Sequence, residues 1–175
     1  MTKDIFTDRD IADGTVRAAL TELVRRPLSW VTTTSPDGEP CVAAQSFVTL
    51  VSVDPPMVGV SLFGEQQTLA NIERSNEFVV SLATAESVRR ATLIAGGLHP
   101  DIDEFTAGLP LETADTVGVQ RPSDSSVHLE CGLQTVLNFG NGHLVIGRLT
   151  ALVVDGDTAR DGVQLVADSL AGVGG

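Results

Sequence analysis

Cysteine is scarce in this 175-residue sequence, which contains only Cys41 and Cys131. Two cysteines cannot form a disulfide framework, and neither has the second cysteine or nearby histidine of a zinc finger, so we expect buried, inert thiols. Basic residues are also scarce: 11 Lys and Arg against 23 Asp and Glu give a net charge of -12, which would repel a nucleic-acid backbone. No apolar run approaches the roughly 18 residues that span a bilayer, and the N-terminus lacks the apolar core of a signal peptide. We therefore expect a cytoplasmic protein that binds neither nucleic acid nor membrane.

Several catalytic motifs are missing as well. The sequence has no GxGxxG dinucleotide fingerprint, no GxxxxGK[ST] phosphate loop, no GxSxG nucleophile elbow and no HExxH zinc motif. Its three histidines, His99, His128 and His143, are scattered and have no supporting carboxylate pattern, so no metal centre is predicted. The segment Asp155-Gly156-Asp157 is followed by Val166 where a calcium loop needs a bidentate glutamate, so we interpret it as a turn.

Runs of β-branched residues separated by turn signals dominate the chain after residue 28. We predict a polar arm over 1–12 and one continuous domain over 13–175, because 175 residues with 42% hydrophobic content suit a single core. Residues 98–126 show little periodicity and predict a long excursion over the surface. The segment Gly140-Asn141-Gly142 predicts a hairpin between the last two strands. The predicted strands are 30–34, 41–53, 57–62, 78–82, 127–139 and 143–154, and the predicted helices are 13–26, 68–75 and 84–95.

An ordered set of short segments resembles the flavin reductase-like family, whose members have an FMN-binding split β-barrel. The resemblance covers roughly residues 16 to 155, in the family's order and at its spacing. The segments that carry it are Arg26-Pro27-Leu28-Ser29-Trp30-Val31-Thr32-Thr33, Asp37-Gly38-Glu39-Pro40, Ala44-Gln45-Ser46-Phe47, Val51-Ser52-Val53-Asp54-Pro55-Pro56, Gln67-Thr68-Leu69-Ala70-Asn71-Ile72, Glu77-Phe78-Val79-Val80-Ser81-Leu82, Leu129-Glu130-Cys131 and His143-Leu144-Val145-Ile146-Gly147.

The residues alone favour a closed or nearly closed β-barrel, because closure removes the exposed edges of an antiparallel sheet. The resemblance implies a mainly β (α+β) fold, a split β-barrel of antiparallel Greek-key type with peripheral helices, in a homodimer. It also implies FMN as cofactor, NADH or NADPH as co-substrate, and hydride transfer from nicotinamide to FMN. A flavin-dependent monooxygenase would receive the reduced flavin. The alternatives are a split-barrel oxidoreductase that retains its FMN and a non-catalytic flavin- or haem-binding protein.

The start of the predicted short helix is the expected phosphate site, because its first amide N–H groups lack partners and attract an anion. Taken alone, Thr68 is more often a simple helix cap. The resemblance implies instead that Gln67, Thr68 and Ser46 bind the cofactor, the last two at its phosphate. Where the family usually has Arg or Lys followed by Asp-Thr, this chain has Glu65-Gln66-Gln67-Thr68. We therefore expect the phosphate to be held by neutral donors, or by an arginine from elsewhere in the dimer.

The same resemblance places the segment Ala44-Gln45-Ser46-Phe47 along the isoalloxazine ring, although Phe47 also suits a core position. Ser61, on the next strand, faces either this cleft or the opposite side, because strand alternation does not say which face is inward. His143 matches a histidine that the family places near the flavin and the nicotinamide, and it is the predicted catalytic residue. Without the resemblance, an ordinary hairpin histidine explains it equally well.

Overall fold

The computed structural model describes residues 28–64, 66–89 and 109–154. The predicted arm over 1–12, the helix over 13–26, the C-terminal part of the helix over 84–95 and the segment 98–108 lie outside the described residues. Within them, no helix is long and apolar enough to cross a membrane. The elements are β1 (Ser29–Thr34), β2 (Pro40–Gln45), β3 (Val48–Val53), β4 (Pro56–Phe63), α1 (Gln67–Ser75), β5 (Glu77–Leu82), β6 (Leu111–Thr113), β7 (Gln120–Pro122), β8 (Val127–Phe139) and β9 (Gly142–Val154). Residues 85–89 are helical as well.

Seven of the described strands form one antiparallel sheet in the order β2-β1-β5-β8-β9-β4-β3, and β6 pairs with β7 in a separate ribbon. Strands distant in sequence lie side by side, as β1 does with β5 and β4 with β9, which is typical of Greek-key connections. The two edge strands, β2 and β3, follow one another along the chain. The predicted mainly β, antiparallel fold class is confirmed.

The predicted strands and the short helix agree with the structure to within one residue at either end, with one exception. The prediction of a single strand over 41–53 is wrong, because the chain leaves the sheet at Ser46 and Phe47. Gln45 is the last residue paired with β1, whereas Val48 is the first residue paired with β4. The two halves therefore have different partner strands, β1 for the first and β4 for the second, and the chain crosses between them at Ser46 and Phe47.

One face of the sheet encloses the main apolar core, and α1 covers that core through the fully buried Ile72. Gly147 on β9 lets the Phe78 ring approach its backbone, since an added Cβ would lie 2.8 Å from Phe78 Cε1 and 2.9 Å from Cys131 Cβ. Both cysteines are buried, as predicted. Burial, assisted by the charge of Glu130, raises the pKa of the Cys131 thiol to about 12, so it stays protonated. The core residues are Val31, Val58, Val60, Leu62, Ile72, Phe78, Val80, Cys131 and Val145.

The other face of the sheet is covered by residues 109–126, which the sequence predicted to run over the surface. These residues do run outside the main sheet with many side chains exposed, but part of the segment is buried, because Leu109 packs with Trp30, and Val117 and Val119 pack with Val79. The apolar side chains that cover the sheet come from a segment of turns and the short β6–β7 ribbon. Such a segment has no regular period, so its pattern did not indicate burial.

A buried carboxylate fastens residues 109–126 to the sheet. Glu130 on β8 is fully buried and accepts hydrogen bonds from Asp115 N at 2.9 Å and from both the amide and the hydroxyl of Thr116. Arg121 Nη1 lies 2.7 Å from Glu130 Oε1 and also contacts Asp115, while its Nε contacts Glu112. Burial alone would favour the protonated acid, but these donors outweigh it and lower the pKa of Glu130.

Candidate functional site

A cleft of about 470 Å³ opens between the N-terminal part of α1 and the β8–β9 hairpin. The hairpin is held against the end of β4, because the Gly64 amide donates to the Asn141 carbonyl at 2.8 Å. His143 lies in β9 directly after the turn and opposite Leu62 of β4. The cleft is lined by Gln66, Gln67, Leu69, Ala70, Glu73 and His143.

The first turn of α1 presents open amide groups. Its N-cap is Gln66, whose side chain makes no capping hydrogen bond, and the first turn carries no acidic side chain. The alternative interpretation of Thr68 as a simple helix cap is wrong, because Gln66 is the N-cap and Thr68 lies inside the first turn, where it is buried. The Oε1 atom of Gln66 is buried and has no hydrogen-bond partner among the described residues. This end of the helix therefore offers several donors and one acceptor to a ligand.

The rest of α1 is anchored firmly to the barrel. Asn71 Nδ2 donates to Thr33 Oγ1 on β1 at 3.1 Å, and Arg74 donates to the carbonyl of Thr34. At the other end, Asn76 adopts the left-handed conformation, and its amide donates to the Ile72 carbonyl. These contacts fix the position of the first turn relative to the sheet.

His143 reaches the cleft from the opposite side. Its Nδ1 lies 2.6 Å from Oδ1 of Asn138, the residue across from it on β8. The ring is partly exposed. The structure thus brings together two of the predicted site residues, Gln67 and His143, across one cleft.

The remaining predicted residues lie in two places. Ser46 and Phe47 form the β2–β3 connection, where the Phe47 carbonyl accepts from the Ser61 amide at 2.9 Å and the Phe47 ring meets Phe63 edge-on at 5.5 Å. Ser61 is therefore joined to Phe47, and it lies one residue before the partner of His143 on β4.

Ala44 and Gln45 are both buried in β2, but their side chains lie on opposite faces of the sheet because strand residues alternate. Ala44 packs with Trp30, Val42 and Leu109 in the cluster on the outer face. The structure does not bring the Ala44 side chain to the cleft, and a role for this strand at the flavin ring stays a prediction.

Sequence reasoning missed several lining residues and one hydrogen-bond partner. Leu69, Ala70 and Glu73 share one side of α1, and their helical spacing could have shown this. Asn138 could have been found from the predicted turn, since a two-residue hairpin connection at Gly140-Asn141 sets Asn138 opposite His143. Nothing in the sequence indicated that Gln66 is the N-cap of α1 or that its side chain makes no capping hydrogen bond.

Charge at the cleft is sparse. Glu73 is the one Asp or Glu among the described lining residues, and no Lys or Arg lines the cleft in the described part of the chain. The expectation of a phosphate site built from neutral donors therefore remains consistent with these residues. No group of three His, Cys, Asp or Glu side chains within the described ranges could hold a metal ion.

Comparison with known proteins connects this fold and cleft to a family. The sequence pattern described as "Flavin reductase like domain" matches residues 21–169, which include the whole described sheet and cleft. The chain belongs to the flavin reductase-like family. Flavin reduction is the chemistry of that family, so the protein is an oxidoreductase of the flavin reductase type.

Two curated proteins and one solved structure illustrate the relationship to this flavin reductase-like protein. It is 30% identical over 159 residues to the uncharacterised YwrF protein of Bacillus subtilis, covering 85% of this chain and 78% of that one. It is 32% identical over 123 residues to HsaB of Rhodococcus jostii, the reductase subunit of a flavin-dependent monooxygenase, covering 70% of this chain and 60% of HsaB. Nitrilotriacetate monooxygenase component B from Bacillus cereus has a similar structure, with a TM-score of 0.76 at 22% identity, covering 88% of this chain and 82% of that one. The predicted split β-barrel is confirmed.

Proposed function

We propose that this flavin reductase-like protein is an NAD(P)H-dependent FMN reductase that supplies reduced flavin to a separate monooxygenase. Two of its relatives are named as the reductase subunit or component B of a monooxygenase, which supports that role. The observation that carries the proposal is the cleft itself, with open helix amides on one side and His143 on the other. A cytoplasmic location, and the extent of one domain over 13–175, stay predictions.

The residues at the cleft fit a flavin nucleotide. A phosphate would accept from the amides of the first turn of α1, next to Gln67 and Thr68, because helix N-termini favour anions. The buried Oε1 of Gln66, which has no partner among the described residues, suits a hydroxyl donor of the ribityl chain that adjoins the phosphate. Ser46, in the connection between β2 and β3, would add a hydroxyl to the phosphate. The bound flavin would supply the hydride acceptor, so the protein itself needs no catalytic triad.

The residues of this chain would then bind the flavin, orient the nicotinamide and limit the access of water to the reacting rings. We assign to His143 the positioning of the nicotinamide ring, because hydride transfer depends on orientation more than on acid catalysis. Its partly exposed imidazole lines the cleft and is held on a hairpin that β4 supports. Phe47 and Phe63, in edge-on contact, add an apolar surface near the partner strand of His143.

A homodimer forms part of the proposal and is supported by an exposed apolar surface. Edge strand β3 carries three large apolar side chains that are 48% to 77% exposed, and the tip of the β8–β9 hairpin carries two more that are 43% and 66% exposed. Apolar side chains grouped on an edge strand are typical of a surface that another chain covers. These residues are Leu50, Val51, Val53, Leu137 and Phe139.

Anaerobic reduction of added FMN tests the proposed activity. The purified protein should oxidise NADH or NADPH and bleach the flavin absorbance band. In Ala70→Trp a large ring would fill the cleft from α1, so FMN affinity should fall about tenfold or more. Ala85→Trp, at an exposed helical position that does not line the cleft, is the matched control and should bind FMN like the wild type.

Unchanged flavin absorbance at saturating NADH and NADPH would contradict the reductase proposal. Tight FMN binding without NAD(P)H oxidation would identify a non-catalytic flavin-binding protein instead. Oxidation of NAD(P)H with FMN that never leaves the protein would favour an oxidoreductase that retains its cofactor.

A further inference from the structure

We propose that Asn138 is a positioning residue that holds the neutral His143 ring in the tautomer protonated on Nδ1. This inference rests on the proposed function, because it assigns a role at the same cleft. The two side chains face each other across the β8–β9 hairpin, with 2.6 Å between Asn138 Oδ1 and His143 Nδ1. A carboxamide oxygen only accepts hydrogen bonds, so His143 Nδ1 must carry the proton and donate it to Asn138.

The position of that proton determines what the other ring nitrogen can do. In the neutral ring, Nε2 then has a free lone pair and acts as a hydrogen-bond acceptor. Among the described residues it has no partner of its own, and the ring lines the cleft. The carboxamide group of a reduced nicotinamide carries an N–H donor that suits this acceptor. Asn138 thereby orients His143 to accept a hydrogen bond from the carboxamide of NADH or NADPH, although Asn138 itself does not contact the nicotinamide.

The geometry keeps the pair together. Asn138 and His143 are directly opposed in the β8–β9 ladder, and His143 is also opposed by Leu62 on β4. The paired strands therefore bring the amide to the ring without further movement of the backbone. Glu73 on α1 is the charged group that lines the cleft with His143, and the other lining residues are neutral.

The tautomer can be read directly by ¹⁵N nuclear magnetic resonance, without flavin or nicotinamide. The chain has three histidines, so His143→Gln identifies the His143 signals. At pH 8 the wild type should show His143 protonated at Nδ1 and unprotonated at Nε2. Asn138→Ala should lose this pattern and populate the Nε2-protonated form, whereas Asn138→Asp should retain it, because a carboxylate also accepts from Nδ1. Gln134→Ala, an exposed amide on the same strand, is the control and should match the wild type.

Kinetics then test the positioning role. Asn138→Ala should raise the KM for NADH by about 2- to 10-fold, the effect of one neutral hydrogen bond, with a smaller change in kcat. Asn138→Asp should restore the KM to near the wild-type value, because a carboxylate also accepts from Nδ1.

A wild-type His143 protonated at Nε2 would overturn the inference, as would a KM for NADH in an active Asn138→Ala that equals the wild-type value. Failure of the proposed function gives a different result. A wild type that shows the expected tautomer but reduces no flavin would refute the reductase proposal while supporting the Asn138–His143 assignment.

Discussion

Removing the phosphate from the flavin tests how the cleft holds its ligand. The described lining residues provide no Lys or Arg, and Arg74 on the same helix donates to the Thr34 carbonyl instead. The available donors are the uncharged amides of the first turn of α1. Two or three hydrogen bonds from uncharged donors, contributing about 1.4–2.7 kcal/mol in total, should favour FMN over riboflavin by about 10- to 100-fold.

Isothermal titration of the wild type with FMN and with riboflavin, at low and at high salt, measures this preference. Neutral donors are screened little, so the ratio of the two dissociation constants should change by less than about threefold between the two salt concentrations. Arg148→Gln is the control variant, because Arg148 is an exposed cation on the strand that carries His143 and does not line the cleft. Its FMN preference should equal that of the wild type.

A preference well above about 100-fold that collapses in high salt would refute this reasoning, because it requires a cationic side chain at the phosphate. Loss of the preference in Arg148→Gln would then identify that cation. If the salt-sensitive preference for FMN persists in Arg148→Gln, another arginine, in the same chain or in a second copy, must hold the phosphate.

Three further predictions concern the fold and the assembly. Gly147→Ala would place a methyl group within 2.9 Å of Phe78 and Cys131, so the free energy of unfolding in urea should fall by about 1–3 kcal/mol, and an unchanged value would contradict the close packing. Glu130→Gln should cost about 3 kcal/mol at pH 7, because it leaves a buried arginine without its buried partner. Since the pKa of Glu130 is lowered in the folded state from 4.5, its contribution is present above that pH and is lost as the pH falls further, so the two proteins should converge in acid; a constant difference would refute this assignment. Val53→Lys places a charge on a side chain that is 77% exposed on β3, and sedimentation should show a monomer; a dimer of unchanged affinity would exclude β3 from the interface.

The strands were predictable wherever a run of β-branched residues lies between two clear turn signals. The hairpin at Gly140-Asn141-Gly142 is the best case, because both its strands and its register follow from the turn. The break at Ser46 and Phe47 was not predictable, since no glycine or proline marks it and β-branched residues continue beyond it. The burial of residues 109–126 depends on tertiary contacts such as Leu109 with Trp30, which no local pattern reveals.

The candidate site was predictable in part. Gln67 and His143 could be selected because their segments resemble those of a family, and the structure sets both at one cleft. The Gln66 cap could not be predicted, because helix boundaries vary by a residue or two in any reading of a sequence. Glu73 and Asn138 could be recognised as site residues only once the distance between α1 and the β8–β9 hairpin was known. That distance depends on the packing of the whole barrel.

The order of the strands has a mechanical consequence. The sheet ends in β2 on one side and β3 on the other, and Ser46 and Phe47 are the whole covalent link between these two edges. This link is tied to β4 by the hydrogen bond from the Ser61 amide to the Phe47 carbonyl and by the contact of the Phe47 ring with Phe63. A ligand that binds Ser46 or Phe47 would therefore contact the one short segment that joins the two edge strands of the sheet.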